Sequence, residues 1–315
     1  MNEHPIIKIA GLTCNFASTQ AVRDLSLEVP RGCVYALLGT NGAGKSTTIK
    51  TLLNLITPTS GSVQVLGVDA ARLGPRELAQ IGYVSENQSL PEYLTLAQLV
   101  AYCRSLYPTW DDAFCKRLQQ EFALPLDRKL SQFSRGMKIK AALLVSLAYR
   151  PQLLILDEPF SGLDVLTRDE LIQGILELSD QENWTVFLSS HDIDEIERLA
   201  DWVGLIENGT LRLSEPLETL RGRFRRVDVT VRDAAVLPLV LPENCLLPEA
   251  SGSRIRWIES RYSGEASMAA QVKALCSDGA AFAVSPLSLR EIIVASTRAL
   301  RRSAPLPLCT PLLHN

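Results

Sequence analysis

Residues 39–47, Gly-Thr-Asn-Gly-Ala-Gly-Lys-Ser-Thr, have the side chains and spacing of a loop that binds nucleotide phosphates. The loop follows the apolar run Val34 to Leu38, and a helix with its positive end toward the phosphates is predicted to begin near Gly44. Glycines let backbone N–H groups surround the β-phosphate, Lys45 can reach the β- and γ-phosphates, and the Ser46 hydroxyl can ligate Mg²⁺. The segment therefore predicts a nucleoside triphosphate site. The predicted nucleotide ligands are Gly39, Asn41, Gly42, Ala43, Gly44, Lys45, Ser46 and Thr47.

Two acidic residues end a second apolar run. Leu153 to Leu156 are followed directly by Asp157 and Glu158. A buried strand of a parallel sheet delivers such side chains to its C-terminal edge, where ligands bind. We expect Asp157 to hold Mg²⁺ together with Ser46, and Glu158 to polarise the water that attacks the terminal phosphate.

Three further segments complete an ordered set of motifs: Phe-Ser-Arg-Gly-Met at 133–137, Ser-Gly-Leu-Asp at 161–164 and Ser-Ser-His-Asp at 189–192. With the phosphate loop and the Asp-Glu strand, the chain resembles the nucleotide-binding domain of ATP-binding cassette (ABC) proteins over roughly residues 6–220. The resemblance implies that two ATPase subunits, identical or different, form a head-to-tail dimer that closes over two ATP molecules.

The resemblance also implies roles for individual residues. Phe16 would stack on adenine and His191 would contact the γ-phosphate. The residues that would contact the ATP of the other subunit are Ser134, Arg135, Gly136 and Asp164. His191 follows a predicted buried strand, Trp184 to Leu188, which leads to the same sheet edge. An isolated aromatic residue is also typical of a small satellite of the core, so two interpretations of Phe16 stay open.

Two positions depart from the usual ABC pattern. Glu86 stands where a glutamine is common in the family, and Arg135 replaces the first glycine of the family's signature motif, here Ser134 to Met137. A carboxylate at 86 can still approach Mg²⁺ or the attacking water, although it adds negative charge beside the γ-phosphate. Gln88, two residues later, is an alternative for this role. Such variants resemble those of drug- and antibiotic-export ATPases.

Composition excludes several classes of protein. The net charge of −3 and pI near 5.8 give no broad basic surface for nucleic acid. The seven cysteines lack Cys-x-x-Cys spacing, which is typical of a protein in a reducing cytosol. We expect no signal peptide and no uncharged apolar segment of about 18 residues that could span a bilayer. The ABC resemblance implies a cytoplasmic location, with peripheral attachment to the cytoplasmic face of the membrane through a separate permease.

The predicted fold class is α/β, a P-loop NTPase of the ABC type with a helical subdomain and a small C-terminal α+β domain. We expect the nucleotide-binding domain to span residues 1–221, with its helical lobe at about 87–150. An accessory domain at 222–300 and a poorly ordered tail at 301–315 follow.

These motifs predict an ATP-binding and ATP-hydrolysing subunit of an ABC transporter. It would power export of an antibiotic, drug, peptide or lipid through a separate membrane permease, by ATP-driven dimer closure. An alternative is a soluble, non-transport ABC ATPase that acts on a macromolecular assembly. ATP and Mg²⁺ are the expected cofactors, and no nucleic acid partner is expected.

Overall fold

The computed structural model describes residues 4–17, 19–86, 88–182, 184–231, 242–275 and 280–303. The chain divides into two compact units, Met1–Pro216 and Leu217–Asn315. The boundary between the units lies a few residues before the expected domain boundary at 221.

The first unit alternates strands and helices. Its strands are β1 (Ile7–Phe16), β2 (Thr19–Val29), β3 (Val34–Leu38), β4 (Ser60–Val65), β5 (Val68–Asp69), β6 (Ile81–Ser85), β7 (Leu153–Asp157), β8 (Thr185–Ser190), β9 (Trp202–Glu207) and β10 (Thr210–Pro216). Its helices are α1 (Lys45–Leu52), α2 (Pro75–Leu78), α3 (Leu96–Arg104), α4 (Asp112–Glu121), α5 (Arg135–Leu147), α6 (Val165–Glu182) and α7 (Ile193–Leu199).

A mixed six-stranded sheet in the order β10-β9-β3-β8-β7-β6 positions the motifs. Its strands β3, β7 and β8 are buried along their whole length, and burial on both faces explains why the sequences of β3 and β7 are almost continuously apolar. Because β3, β7 and β8 are parallel neighbours, their C-terminal ends meet at one edge. In this register Leu38 lies beside Ser190, and Asp157 lies beside Ser189.

A second, antiparallel sheet in the order β2-β1-β4-β5 covers one face of the central sheet. Alternate side chains of its strands, such as Ile7 and Leu25, are fully buried. They share a single hydrophobic cluster with Tyr35, Ile155 and Phe187 of the central sheet. The alternation follows from the period of a strand, which directs every second side chain to the same face.

The helices α3, α4 and α5 are each started by a side-chain cap. Thr95, Asp111 and Ser134 accept hydrogen bonds from backbone N–H groups in the first turns of α3, α4 and α5. These helices lie in the segment predicted to form the helical lobe. The Tyr107 and Tyr149 rings stack with centroids 3.9 Å apart and an interplanar angle of 3°, and the Tyr149 hydroxyl donates to the Ile81 carbonyl of β6 at 2.8 Å.

The second unit has a four-stranded antiparallel sheet in the order β12-β13-β11-β14. Its elements are α8 (Leu217–Arg223), β11 (Arg225–Thr230), β12 (Cys245–Ser251), β13 (Arg254–Glu259), α9 (Glu265–Leu275), β14 (Ala281–Pro286) and α10 (Leu289–Ser303). Its hydrophobic cluster includes the buried residues Trp257, Val227 and Met268. The α10 helix extends into the expected tail, and residues 304–315 lie outside the described residues.

Candidate active site

The phosphate loop leaves β3 at Gly39 and enters α1 after Gly44. A Cβ atom at Gly39 would lie 2.6 Å from the carbonyl oxygen of Ile206, so no larger residue fits beside β9. Gly44 has φ +110°, and a Cβ atom there would lie 2.6 Å from the carbonyl oxygen of Ala21. Packing against two neighbouring strands and left-handed backbone therefore explain both glycines.

Lys45 is buried at the start of α1, and its ammonium group has three oxygen partners. It donates to the carbonyl oxygens of Gly39 at 2.7 Å and Thr40 at 3.3 Å. Its Nζ atom also lies 2.9 Å from Oε1 of Glu158. The loop thus curls around its own lysine, and the ion pair connects the loop to the end of β7.

Glu158 lies between two basic side chains. Its Oε1 atom pairs with Lys45, and its Oε2 atom lies 2.7 Å from Nδ1 of His191. The backbone of Glu158 is left-handed, with φ 52°, a conformation that costs about 1–2 kcal/mol for a residue with a side chain. Strain of this kind persists at sites where the surrounding structure fixes the residue. The turn therefore directs the carboxylate toward the phosphate loop instead of continuing the strand.

The residue pair that could bind a metal is Ser46 and Asp157. The Ser46 hydroxyl donates to Oδ1 of Asp157 at 3.1 Å. A hydroxyl and a carboxylate are hard oxygen ligands of the kind that Mg²⁺ prefers, and it commonly uses few protein ligands together with phosphate oxygens. The donor set therefore fits Mg²⁺.

Ser189 is a residue of the site to which the sequence analysis gave no role. Its hydroxyl donates to Oδ1 of Asp157 at 2.7 Å and accepts from the backbone N–H of Glu158 at 3.1 Å. It therefore holds both acids from the neighbouring strand β8. A sequence signal for this role exists, because Ser189 is the first residue of the Ser-Ser-His-Asp segment that contains His191.

His191 follows β8, and its side chain is about half exposed. The next residue, Asp192, caps α7 by accepting from the Asp194 N–H at 3.0 Å. Behind this turn, the buried carboxylate of Glu195 accepts from Ser190 at 2.9 Å and lies 3.2 Å from Nε of Arg168. Burial raises the pKa of Glu195, an effect that the Ser190 hydrogen bond and Arg168 oppose.

The signature motif and the turn before α6 form a second cluster. Ser134 caps α5 by accepting from the Met137 N–H at 3.2 Å. A Cβ atom at Gly136 would lie 2.5 Å from the methyl carbon of Thr167, so α5 and α6 touch at this glycine. Asp164 accepts from the N–H and hydroxyl of Thr167 at 3.0 and 2.7 Å, and these bonds lower the pKa of Asp164.

Glu86 belongs to this second cluster. Its Oε1 atom accepts from the Ser161 hydroxyl at 2.8 Å and lies 3.7 Å from a guanidinium nitrogen of Arg135. Glu86 follows Ser85, whose register partner is Asp157, so it leaves the sheet next to the Asp-Glu pair. Gln88, the alternative, turns back and accepts from the Ser85 N–H at 3.2 Å.

Phe16 lies at the end of β1, where its register partner is Thr19 of β2. Its side chain is exposed, unlike the core side chains of the same strand. The carbonyl of Ala21, two residues beyond Thr19, is the group that faces Gly44. The hairpin of β1 and β2 therefore lies beside the start of α1, with Phe16 outside the core.

The family model described as "ABC transporter" matches residues 22–161. The bacitracin transport ATP-binding protein BcrA of Bacillus licheniformis is 35% identical over 223 residues, which are 70% of this chain and 73% of that protein. The chain belongs to the ABC transporter ATP-binding family. The lantibiotic transport ATP-binding protein SrtF of Streptococcus pyogenes is also 35% identical, over 68% of this ABC protein and 95% of its own length.

A solved ATP-binding subunit of an ABC transporter has a TM-score of 0.62 and 30% identity to this ABC protein, over 69% of this chain and 92% of that one. The predicted fold class is confirmed. The chain is an ABC ATP-binding subunit that hydrolyses ATP, as the sequence predicts. A solved ATP-binding cassette with the same fold, 22% identical to this chain with a TM-score of 0.60, is described as dimeric. Within the described part of the chain, no helix combines the length and apolar character that crossing a membrane requires.

Proposed function

We propose that this ABC subunit powers export of an antibiotic, drug, peptide or lipid through a separate permease. The observation that carries the proposal is the position of Glu158 between Lys45 and His191, beside Ser46 and Asp157. This arrangement suits ATP hydrolysis, and the relatives named for bacitracin and lantibiotic transport favour a compound of the antibiotic type. The dimer would lie at the cytoplasmic face of the membrane, attached through the permease.

The residues of one subunit have separate roles in binding the phosphates, orienting the attacking water and holding Mg²⁺. The loop N–H groups and Lys45 hold the β- and γ-phosphates. Glu158 accepts a hydrogen bond from the attacking water and orients it for in-line attack, while His191 contacts the γ-phosphate and keeps the Glu158 carboxylate in position. Ser46 and Asp157 would hold Mg²⁺, which when bound neutralises charge on the phosphates.

A second subunit, identical or different, would complete the site. The ATP bound by that second subunit would be approached by four residues of this chain: Ser134, Arg135, Gly136 and Asp164. Phe16 would stack on the adenine of the ATP bound by this chain. The cap on α5 supports this assignment, because it fixes the positive end of that helix at the signature motif.

An open groove of about 380 Å³ in the first unit offers a docking site for the permease. Its apolar rim includes Leu55 and Leu78, whose exposed fractions are 62% and 40%. Tyr83 and Tyr107 also line the groove, so an amphipathic helix could bury its apolar face there. We assign the groove to a cytoplasmic helix of the permease because the proposed export requires a membrane partner, and the relatives named for bacitracin and lantibiotic transport favour such a role.

The test is capture of partners from gently solubilised native membranes, with the chain carrying Glu158→Gln in the presence of ATP. We expect one multi-span membrane protein in stoichiometric amount, identified by mass spectrometry. Adding Leu55→Asp or Leu78→Asp should abolish its recovery, because each change puts a charge into the apolar groove.

The matched control is Val294→Asp in the second unit, which has an exposed fraction of 39% and should leave recovery unchanged. Recovery that survives both groove substitutions would contradict the docking assignment. Repeated recovery of soluble partners alone would favour the non-transport ABC ATPase instead.

A further inference from the structure

The two positions at which the chain departs from the ABC pattern are neighbours in the fold. Glu86 follows β6 and Arg135 is the first residue of α5. The Oε1 atom of Glu86 lies 3.7 Å from the Arg135 guanidinium nitrogen and also accepts from Ser161 at 2.8 Å. One carboxylate oxygen thus joins the loop after β6, the first turn of α5 and the turn that follows Glu158.

The guanidinium group of Arg135 also packs against the backbone of Gly162. A Cβ atom at Gly162 would lie 3.0 Å from Cζ of Arg135, closer than ordinary contacts allow. Gly162 has φ +68°, which further disfavours any side chain there. The position of the Arg135 guanidinium is therefore defined by two contacts, one with the Glu86 carboxylate and one with the backbone at Gly162.

We propose that Glu86 is a positioning residue that acts through Arg135, and that the two unusual residues compensate for each other. Glu86 supplies the counter-charge that orients the Arg135 guanidinium at the N-terminus of the signature helix. Arg135 in turn neutralises a carboxylate that would otherwise add negative charge near the γ-phosphate. The inference rests on the proposed function, because it assumes that the signature helix faces the ATP of the other subunit.

The pair is suited to orientation and contributes little to stability. Both side chains are partly exposed, and ion pairs of this kind are weak and screened by salt. Its effect should therefore appear in ATP turnover and in the salt dependence of turnover, with little change in the unfolding temperature.

A double-mutant cycle tests the pair through Glu86→Gln, Arg135→Gly and the double variant, which has the residues common in the family. We expect each single change to lower kcat by about tenfold, because the remaining partner loses its orientation. The double variant should recover most of the wild-type kcat. The salt dependence of kcat should weaken in all three variants, while thermal unfolding stays at the wild-type temperature.

The matched control is Glu92→Gln, which removes an ion pair with Lys138 farther along α5 and should keep kcat within about twofold. Single effects that multiply in the double variant, or a neutral Glu86→Gln, would overturn the inference. Absence of ATP hydrolysis by the wild-type chain would instead overturn the proposed function, so the two failures are distinguishable.

Discussion

Glu158 and Glu259 are both buried carboxylates at the ends of strands, one in each unit, but their partners differ. Glu158 contacts the side chains of Lys45 and His191. Glu259, whose exposed fraction is 1%, contacts neutral donors. Its oxygens accept from the Asn244 and Gln271 side-chain amides at 2.8 and 3.0 Å, and from the backbone N–H of Arg261 at 2.8 Å.

The backbones of the two residues differ in the same sense. Glu158 is left-handed, whereas Glu259 lies in regular antiparallel strand pairing with Arg225 and Cys245. Amides of the segment after β13, of α9 and of the segment before β12 surround the Glu259 carboxylate. A strained carboxylate that contacts a lysine and a histidine suits chemistry, and an unstrained carboxylate with fixed amide partners suits stability.

Glu158→Gln should give the largest effect. We expect ATP turnover to fall by at least about a hundredfold, because the amide cannot polarise water as a carboxylate does. ATP binding should remain and ATP-bound dimers should accumulate. Steady-state phosphate release, nucleotide titration and size-exclusion chromatography measure these outcomes. Normal turnover in this variant would remove the basis for the comparison.

Glu259→Ala should act on stability alone. Removing the carboxylate takes the acceptor from the half-buried Asn244 amide and leaves the Gln271 amide with Cys245 Sγ alone. This loss should lower the free energy of unfolding of the second unit by about 2 kcal/mol. Denaturant titration followed by circular dichroism checks this value. Exposed Glu249 on β12 provides the control, Glu249→Ala, which should have little effect. A loss of turnover in folded Glu259→Ala protein would show that the contrast between the two carboxylates is wrong.

Ser189→Ala should lower ATP turnover by less than Glu158→Gln does. It removes the hydroxyl that orients Asp157 and the Glu158 backbone, so kcat should fall by about tenfold while ATP affinity changes less. The equally conservative Ser146→Ala removes a buried hydroxyl that donates to the Tyr83 carbonyl at 3.2 Å, and should leave kcat in solution near the wild-type value. Equal losses in both variants would indicate a packing effect.

Glu195 offers the smallest effect, on the pH dependence of stability. Because burial raises its pKa in the folded state, the folded chain binds more protons than the unfolded chain between the ordinary and the raised pKa. Its contribution to the free energy of unfolding therefore decreases as pH rises through this window. Glu195→Gln should remove that slope, as measured by unfolding titrations at several pH values. If the free energy of unfolding of Glu195→Gln keeps the wild-type slope against pH, other titratable groups cause that slope.

The contiguous motifs could be predicted from the sequence because each contains its own chemistry and lies at the end of an apolar run. Lys45 and Glu158 are examples, since the parallel strands β3 and β7 deliver both to one sheet edge. The double contact of Ser189 could not be predicted, because it depends on the register between β7 and β8. The same holds for Glu86 and Arg135, which meet because the loop after β6 lies beside the first turn of α5.

The second unit was harder to predict. Apolar and polar residues alternate from Val227 to Val231 and from Arg254 to Ile258, which indicates strands, and these segments correspond to β11 and β13. The segment of β12 does not read as a strand because Pro248 lies within it, and in the structure its register with β13 shifts between Leu246 and Glu249. The Glu259 network was also invisible, since its donors come from separate elements.

The stacked rings of Tyr107 and Tyr149 have a mechanical consequence. Their faces are nearly parallel and close, so pulling them apart exposes two apolar surfaces, whereas sliding one over the other keeps most of the contact. Tyr149 is anchored to the sheet through the Ile81 carbonyl, while Tyr107 lies just beyond α3. We therefore expect the stacked rings to resist separation of the segment after α3 from the sheet, and to allow sideways movement of one relative to the other.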